Sequence, residues 1–246
     1  MNIAVIGAGQ LGSRHLQALA RLTGKVSVQV LDLNEGSLKV AQQRMDQTDY
    51  DQQSISVDYI QHIDRLAPHI DVVIVATGAN SRRQVIESVL AHSKVTYMVL
   101  EKVLFQRVED YSAVKALFEQ HNVAAWVNCG RRAFEIYRTI KLWLQQNEPV
   151  EISVSGGNWG LACNSIHFVD LFAFLTDQDS VSISAKSLLP KVIPSKRASF
   201  VEFVGSLECN NETGDTLRLT CFENSTAPVV VNITSPSVRC VIKESE

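Results

Sequence analysis

Apolar positions return along the first half of the chain in two alternating rhythms. Asn2–Ile6 is a short β-rich run, and residues 13–20 behind it carry apolar side chains at helical spacing. Val26–Leu31 reads as a second strand, 57–60 as a short third one and 63–67 as a short helix. The run at 71–77 suits a strand buried on both faces. It is followed by a helix over 81–91, a strand over 96–100, a helix over Val108–His121 and a strand over 123–127. Repeated β-α units predict a parallel, doubly wound sheet that takes its ligands at the carboxyl ends of the strands.

The second half changes character. Residues 149–157 form a strand, 158–160 a turn, and a helix runs from about 164 to 175. Along that helix Cys163, His167, Asp170, Leu171 and Phe174 share one face. Thereafter the period becomes two, over 181–185, 201–209, Thr216–Phe222, 228–234 and 238–243. This predicts antiparallel strands with one apolar face each. The division expected is a Rossmann domain over 1–128 and an α+β domain with an open, mostly antiparallel sheet over 129–246.

Composition narrows the partners. In 246 residues, 23 Lys+Arg against 26 Asp+Glu give a formal charge of -3, so no basic excess exists for a nucleic-acid backbone or an anionic bilayer. No apolar stretch reaches the roughly 18 residues of a spanning helix, and the N-terminal run passes straight into glycines, as a strand does and a signal peptide does not. The five cysteines are odd in number and lack paired spacing. They suit a reducing compartment, and the expectation is a cytoplasmic protein without a metal site.

The first strand leads directly into Gly7-Ala8-Gly9-Gln10-Leu11-Gly12 and then a helix, the context a dinucleotide fingerprint requires. Gly7 permits the tight turn, Gly9 lets a pyrophosphate approach the backbone, and Gly12 lets the helix lie close to the sheet. Asp32 closes the second strand 20 residues after Gly12, where a carboxylate accepts hydrogen bonds from ribose hydroxyls. It would repel a 2′-phosphate, and no Arg follows it closely, so NAD is expected over NADP. Thr77, Asn80, Glu101-Lys102 and Asn128 fall at other strand ends. Lys102 is either a solvated lysine or an ammonium placed to bind the nicotinamide side and polarise a substrate oxygen.

The stretches GAGQLGSRHLQAL, VVIVATGAN, LEKVLFQRVEDYSAVKAL, VNCGRRAFEIYRTIK and NSIHFVDLFAFL, in this order over nearly the whole chain, resemble the glucose–fructose oxidoreductase/inositol dehydrogenase (Gfo/Idh/MocA) family. The resemblance implies an NAD(P)-dependent oxidoreductase of sugars, polyols and related compounds. By that resemblance Lys102 matches the lysine of a Glu-Lys-Pro motif that contacts nicotinamide and substrate. His167 matches the proton-transfer histidine, Asp170 the last acid of its segment, and Arg131 and Arg132 fall in a stretch that shapes the substrate pocket. The family's sheet face also implies a homodimer or higher homo-oligomer through the C-terminal sheet.

Three departures accompany the match. Val103 stands where the family has the proline that helps fix the lysine's loop. Cys163 and Ser165 replace an Asp and a Gly of the histidine segment, and the chain stops at Glu246, short for the family. A thiol orients a histidine poorly; Asp170, one turn on, is the remaining acid for that task. Asn158, Trp159, Cys163 and Asn164 join Arg131, Arg132 and His167 as candidate substrate contacts, with Tyr137 and Arg138 nearby. The arginines suit an anionic sugar derivative, or else pair with Glu135 or lie in solvent. Two functions therefore stand: an NAD-dependent sugar or polyol oxidoreductase, and a degenerate relative that binds NAD and a sugar-like ligand without turnover.

Overall fold

The computed structural model describes residues 1–145, 147–195 and 200–244. They form two compact units, Met1–Asn128 and Cys129–Glu246.

The first unit runs β1 (Asn2–Ile6), α1 (Gln10–Leu19), β2 (Val26–Leu31), α2 (Glu35–Asp46), β3 (Ile55–Ile60), β4 (His69–Val75), α3 (Arg82–His92), β5 (Lys94–Leu100), α4 (Val108–His121) and β6 (Ala124–Val127). Its six strands lie in the order β3-β2-β1-β4-β5-β6 and every pair is parallel. Alternation along the strands feeds two cores. Ile3 and Val5 pack with Leu16, Leu38 and Met45 of α1 and α2, whereas Ala4 and Ile6 join Ile86, Val89 and Val114 of α3 and α4. The order reverses between β1 and β4, which opens a crevice at their carboxyl ends. Two details depart from the pattern reading. The segment at 63–67 holds only a 3-10 turn, Ile63–Arg65, and α2 was not anticipated. Just three of its residues, Leu38, Ala41 and Met45, are buried, too thin an apolar stripe to announce a helix.

The second unit contains α5 (Glu135–Trp143), β7 (Glu151–Gly157), α6 (Leu161–Thr176), β8 (Ser182–Ser184), β9 (Leu188–Pro194), β10 (Val201–Asn210), β11 (Thr216–Phe222), β12 (Val229–Thr234) and β13 (Arg239–Glu244). Among the described residues the sheet order is β13-β12-β7-β11-β10-β8, with β9 on β10. It is mostly antiparallel, as expected, with β7 and β11 as a parallel pair within it. The reason is the connection: the chain leaves β7 through α6 and β10 before β11 returns beside β7, a crossover rather than a hairpin. Leu217, Leu219 and Cys221 of β11 face the core with Phe168, Leu171 and Phe172 of α6; Thr216, Arg218 and Phe222 face away.

The start of α6 is fixed from the sheet. Gly160 has φ +78°, and a Cβ there would lie 3.0 Å from the carboxylate of Glu202 on β10. Glu202, 7% exposed, accepts the Ala162 N–H at 2.7 Å, so a buried carboxylate satisfies the first turn of the helix and complements its dipole.

Candidate functional site

At the carboxyl end of β1 the glycines have separable duties. Gly7 adopts φ +95°, and a Cβ there would sit 3.1 Å from the backbone of Ala76 and Thr77. A Cβ on Gly12 would lie 1.7 Å from the Gly7 carbonyl oxygen, so α1 can rest on this turn only without a side chain. Gly9 is different: a Cβ would meet nothing within 4 Å. The space over Gly9 is therefore open while its neighbours are packed. The first turn of α1, which carries Gln10 and Leu11, has neither an acidic residue nor a side-chain cap, which leaves its N–H dipoles for an anion.

Asp32 borders this turn. One carboxylate oxygen accepts the Ala8 N–H at 2.7 Å and the other the Asn34 N–H at 2.9 Å. A carboxylate offers about four acceptor sites, so capacity remains for hydroxyl donors. The Thr77 hydroxyl oxygen is buried and has no hydrogen-bond partner among the described residues. Asn80 folds back over Gly78, whose added Cβ would lie 2.7 Å from the Asn80 Oδ1. Open space at Gly9, an acid with spare acceptors and a buried unpartnered hydroxyl together fit a dinucleotide.

Beside this end, β5 delivers Glu101 and Lys102. Glu101 is 4% exposed; its Oε1 lies 2.7 Å from His15 Nε2 on α1 and accepts from Asn128 Nδ2 at 2.8 Å. Burial pushes its carboxyl up, but the hydrogen bonds from His15 and Asn128 and the charges of His15 and Lys102 outweigh burial and hold it below the ordinary value. Asn128 lies at one of the strand ends expected to face ligands, whereas His15 was not among the residues expected there from sequence. Lys102 itself is partly buried at the following position.

In the second unit, His167 is partly buried on α6, with Cys163 one turn before it and Asp170 one turn after. Both carboxylate oxygens of Asp170 accept from Arg132, Oδ2 from Nε at 2.9 Å and Oδ1 from Nη2 at 2.5 Å. Arg131 pairs through Nε with Glu244 at 2.8 Å and again through Nη2, while its guanidinium lies 4.1 Å from the centre of the Phe168 ring. Tyr137, 1% exposed, donates to the same Glu244 at 2.7 Å. Burial would raise the Glu244 carboxyl, yet the hydrogen bonds from Arg131 and Tyr137, with the charges of Arg131 and His167, bring it below its usual range. The arginines thus have carboxylate partners, Glu244 and Asp170, which none of the three alternatives read from the sequence (an anionic ligand, Glu135 or solvent) had named.

The turn before α6 uses its polar side chains internally. Asn158 donates to the Ser225 carbonyl at 2.9 Å, Trp159 to the Thr220 carbonyl at 2.9 Å, and Asn164 to the Trp159 carbonyl at 2.6 Å. Trp159 also meets Phe168 edge to face at 5.6 Å. Among the described residues no group of three or more His, Cys, Asp or Glu could hold a metal ion, and no helix is long and apolar enough to cross a membrane.

A parallel 3-2-1-4-5-6 sheet with a glycine turn and an acid at its strand ends defines a Rossmann fold of the dinucleotide-binding kind. Residues 1–129 match the Gfo/Idh/MocA oxidoreductase family, described by its NAD-binding Rossmann fold, and the chain belongs to that family. No curated protein sequence matches it. Among solved structures, it is similar to myo-inositol dehydrogenase from Lactobacillus casei in complex with NAD(H) and myo-inositol, at 16% identity and TM-score 0.73 over 100% of this chain and 75% of that one. The scyllo-inositol dehydrogenase of the same organism, with NAD(H) and scyllo-inositol, shares 18% identity at TM-score 0.71 over 98% and 76% of the two chains. An oxidoreductase from Agrobacterium radiobacter, in complex with NAD+, L-tartaric acid and magnesium, shares 18% identity at TM-score 0.73 over 100% and 80%. These likenesses extend the family's fold through both units.

Proposed function

We propose that the chain is an NAD-dependent oxidoreductase that moves a hydride to or from an uncharged sugar, polyol or sugar derivative. The observation that carries this reading is the end of β1: a turn closed at Gly7 and Gly12, open above Gly9, with Asp32 beside it. The Asp32 carboxylate favours the two ribose hydroxyls of NAD and repels the 2′-phosphate of NADP. When bound, the nicotinamide supplies the hydride acceptor or donor. Lys102 would orient and polarise the substrate oxygen, and His167 would take or return its proton.

The pairing of Arg131 with Glu244 and of Arg132 with Asp170 supports an uncharged substrate over a sugar acid or phosphate, because neither guanidinium offers an uncompensated charge. The inositol in two of the similar structures is of that kind. A homo-oligomer through the sheet face that carries Thr216, Arg218 and Phe222, turned away from α6, belongs to the same reading. So does a reducing, cytoplasmic setting, which the odd and unspaced cysteines support.

A second reading is a cofactor-binding relative without turnover. It is favoured by Cys163 one turn before His167, together with the commitment of both Asp170 oxygens to Arg132. A fluorescence titration with NADH and NADPH side by side, followed by a turnover screen over neutral polyols and sugar acids, separates the cases. Selective NADH binding with turnover of a neutral polyol is expected. Selective binding without turnover would leave the second reading, and binding of neither nucleotide would end both.

A further inference from the structure

The loop that presents Lys102 is gripped from a direction the sequence did not advertise. Arg82, the first residue of α3, is 2% exposed. Its guanidinium donates to three backbone carbonyls: those of Val103 and Leu104, the latter at 2.7 Å, in the loop after β5, and that of Thr77 at the end of β4. A buried guanidinium is costly unless its donors are satisfied in good geometry, so an arginine here is not a packing accident. Its planar fork of N–H groups can hold several carbonyls at once in fixed directions, which an ammonium cannot do.

The three carbonyls belong to two loops with chemistry beside them. One follows Lys102 directly; the other is the backbone of Thr77, whose buried hydroxyl has no hydrogen-bond partner among the described residues. Glu101 fixes the near side of the lysine through His15 and Asn128. Val103 on the far side lacks the ring that limits a proline's φ, so stiffness there has to come from outside the loop.

We propose that Arg82 is the positioning residue for Lys102, clamping the loop after β5 against the end of β4 so that the ammonium is held in place for substrate. This rests on the oxidoreductase reading for its catalytic consequence, though the clamp itself does not. A positioning error of about 1 Å is enough to lower turnover roughly a hundredfold.

The test compares Arg82→Met and Arg82→Lys with the wild type. Backbone amide hydrogen exchange over residues 101–106, followed by mass spectrometry without cofactor, is expected to speed up about tenfold or more in the Met variant and less in the Lys variant. Exchange in β1 and β2 should stay as in the wild type. In the turnover assay kcat is expected to fall about a hundredfold, with the dissociation constant for NADH changed far less and partial rescue by lysine. Should the Met variant not fold, the Lys variant alone decides both arms. Unchanged exchange over 101–106 would overturn the clamp, and faster exchange with undiminished kcat would overturn its positioning role. If the wild type binds no NADH, the oxidoreductase reading falls, and the exchange arm still judges Arg82.

Discussion

His15 Nε2 stands 2.7 Å from Glu101 Oε1, which joins the helix behind the glycine turn to the residue immediately before Lys102. The contact links parts of the chain 86 residues apart, and Asn128 completes it from the position just after β6. Because Glu101 titrates below the 4.5 of an ordinary glutamate, it adds stability at pH values above 4.5 and loses that contribution as pH falls through its lower folded value. Glu101→Gln should be less stable than wild type at pH 7 by about 2 kcal/mol. The difference should shrink from pH 4.5 downward. Denaturant unfolding at a series of pH values reads both; parallel stability curves for the two proteins would show that the carboxylate has no such role.

Gly9 and Gly12 look equivalent in the motif but should respond oppositely to alanine. Gly12→Ala places a methyl 1.7 Å from the Gly7 carbonyl oxygen, so α1 must move; a loss of about 3 kcal/mol is expected, with NADH affinity. Gly9→Ala meets nothing within 4 Å and should fold with stability within about 0.5 kcal/mol of wild type. It should nonetheless weaken NADH binding at least tenfold, since the methyl enters space assigned to pyrophosphate. Thermal unfolding with a fluorescence titration separates the two. Full NADH affinity in Gly9→Ala would mean that the cofactor does not lie over this turn.

Asp32 tests the choice of nucleotide. Replacing it by Ala removes the acceptor from the Ala8 and Asn34 N–H groups and the charge facing a 2′-phosphate. NADH affinity should drop and NADPH affinity rise or hold, narrowing the ratio of the two by about tenfold or more, the scale of one charge-assisted hydrogen bond. An unchanged ratio would remove Asp32 from the specificity argument.

What the sequence made visible and what it hid follow from the range of the interactions. Gly7, Gly9, Gly12 and Asp32 were legible because strand, turn and helix are local and each glycine has its own steric reason. The β-α alternation was legible because β1 and the second half of β4 bury continuous apolar runs. α5 was hard to see because it is short and buries only Tyr137 and Ile140, a pair at helical spacing but too few to establish a period. The partners of Arg131, Arg132, His15 and Arg82 were beyond reach. Arg131 and Glu244 are 113 residues apart, and no local pattern names a buried guanidinium's carbonyls.

The division of labour on α6 yields the last prediction. Asp170 gives both carboxylate oxygens to Arg132, a pair on the edge of solvent, whereas His167 lies on the same helix one turn earlier. Asp170→Asn should therefore act as a loosened surface ion pair, costing roughly 1 kcal/mol or less. It should leave the pH dependence of kcat close to that of wild type. His167→Asn removes a proton acceptor and should lower kcat by about a hundredfold or more, the range for loss of a general base, with NADH affinity retained. Turnover and its pH profile for the two variants, measured beside wild type, place the proton transfer. If Asp170→Asn shifts the profile and His167→Asn does not, the acid and not the histidine handles the proton, and the roles proposed for them must be exchanged.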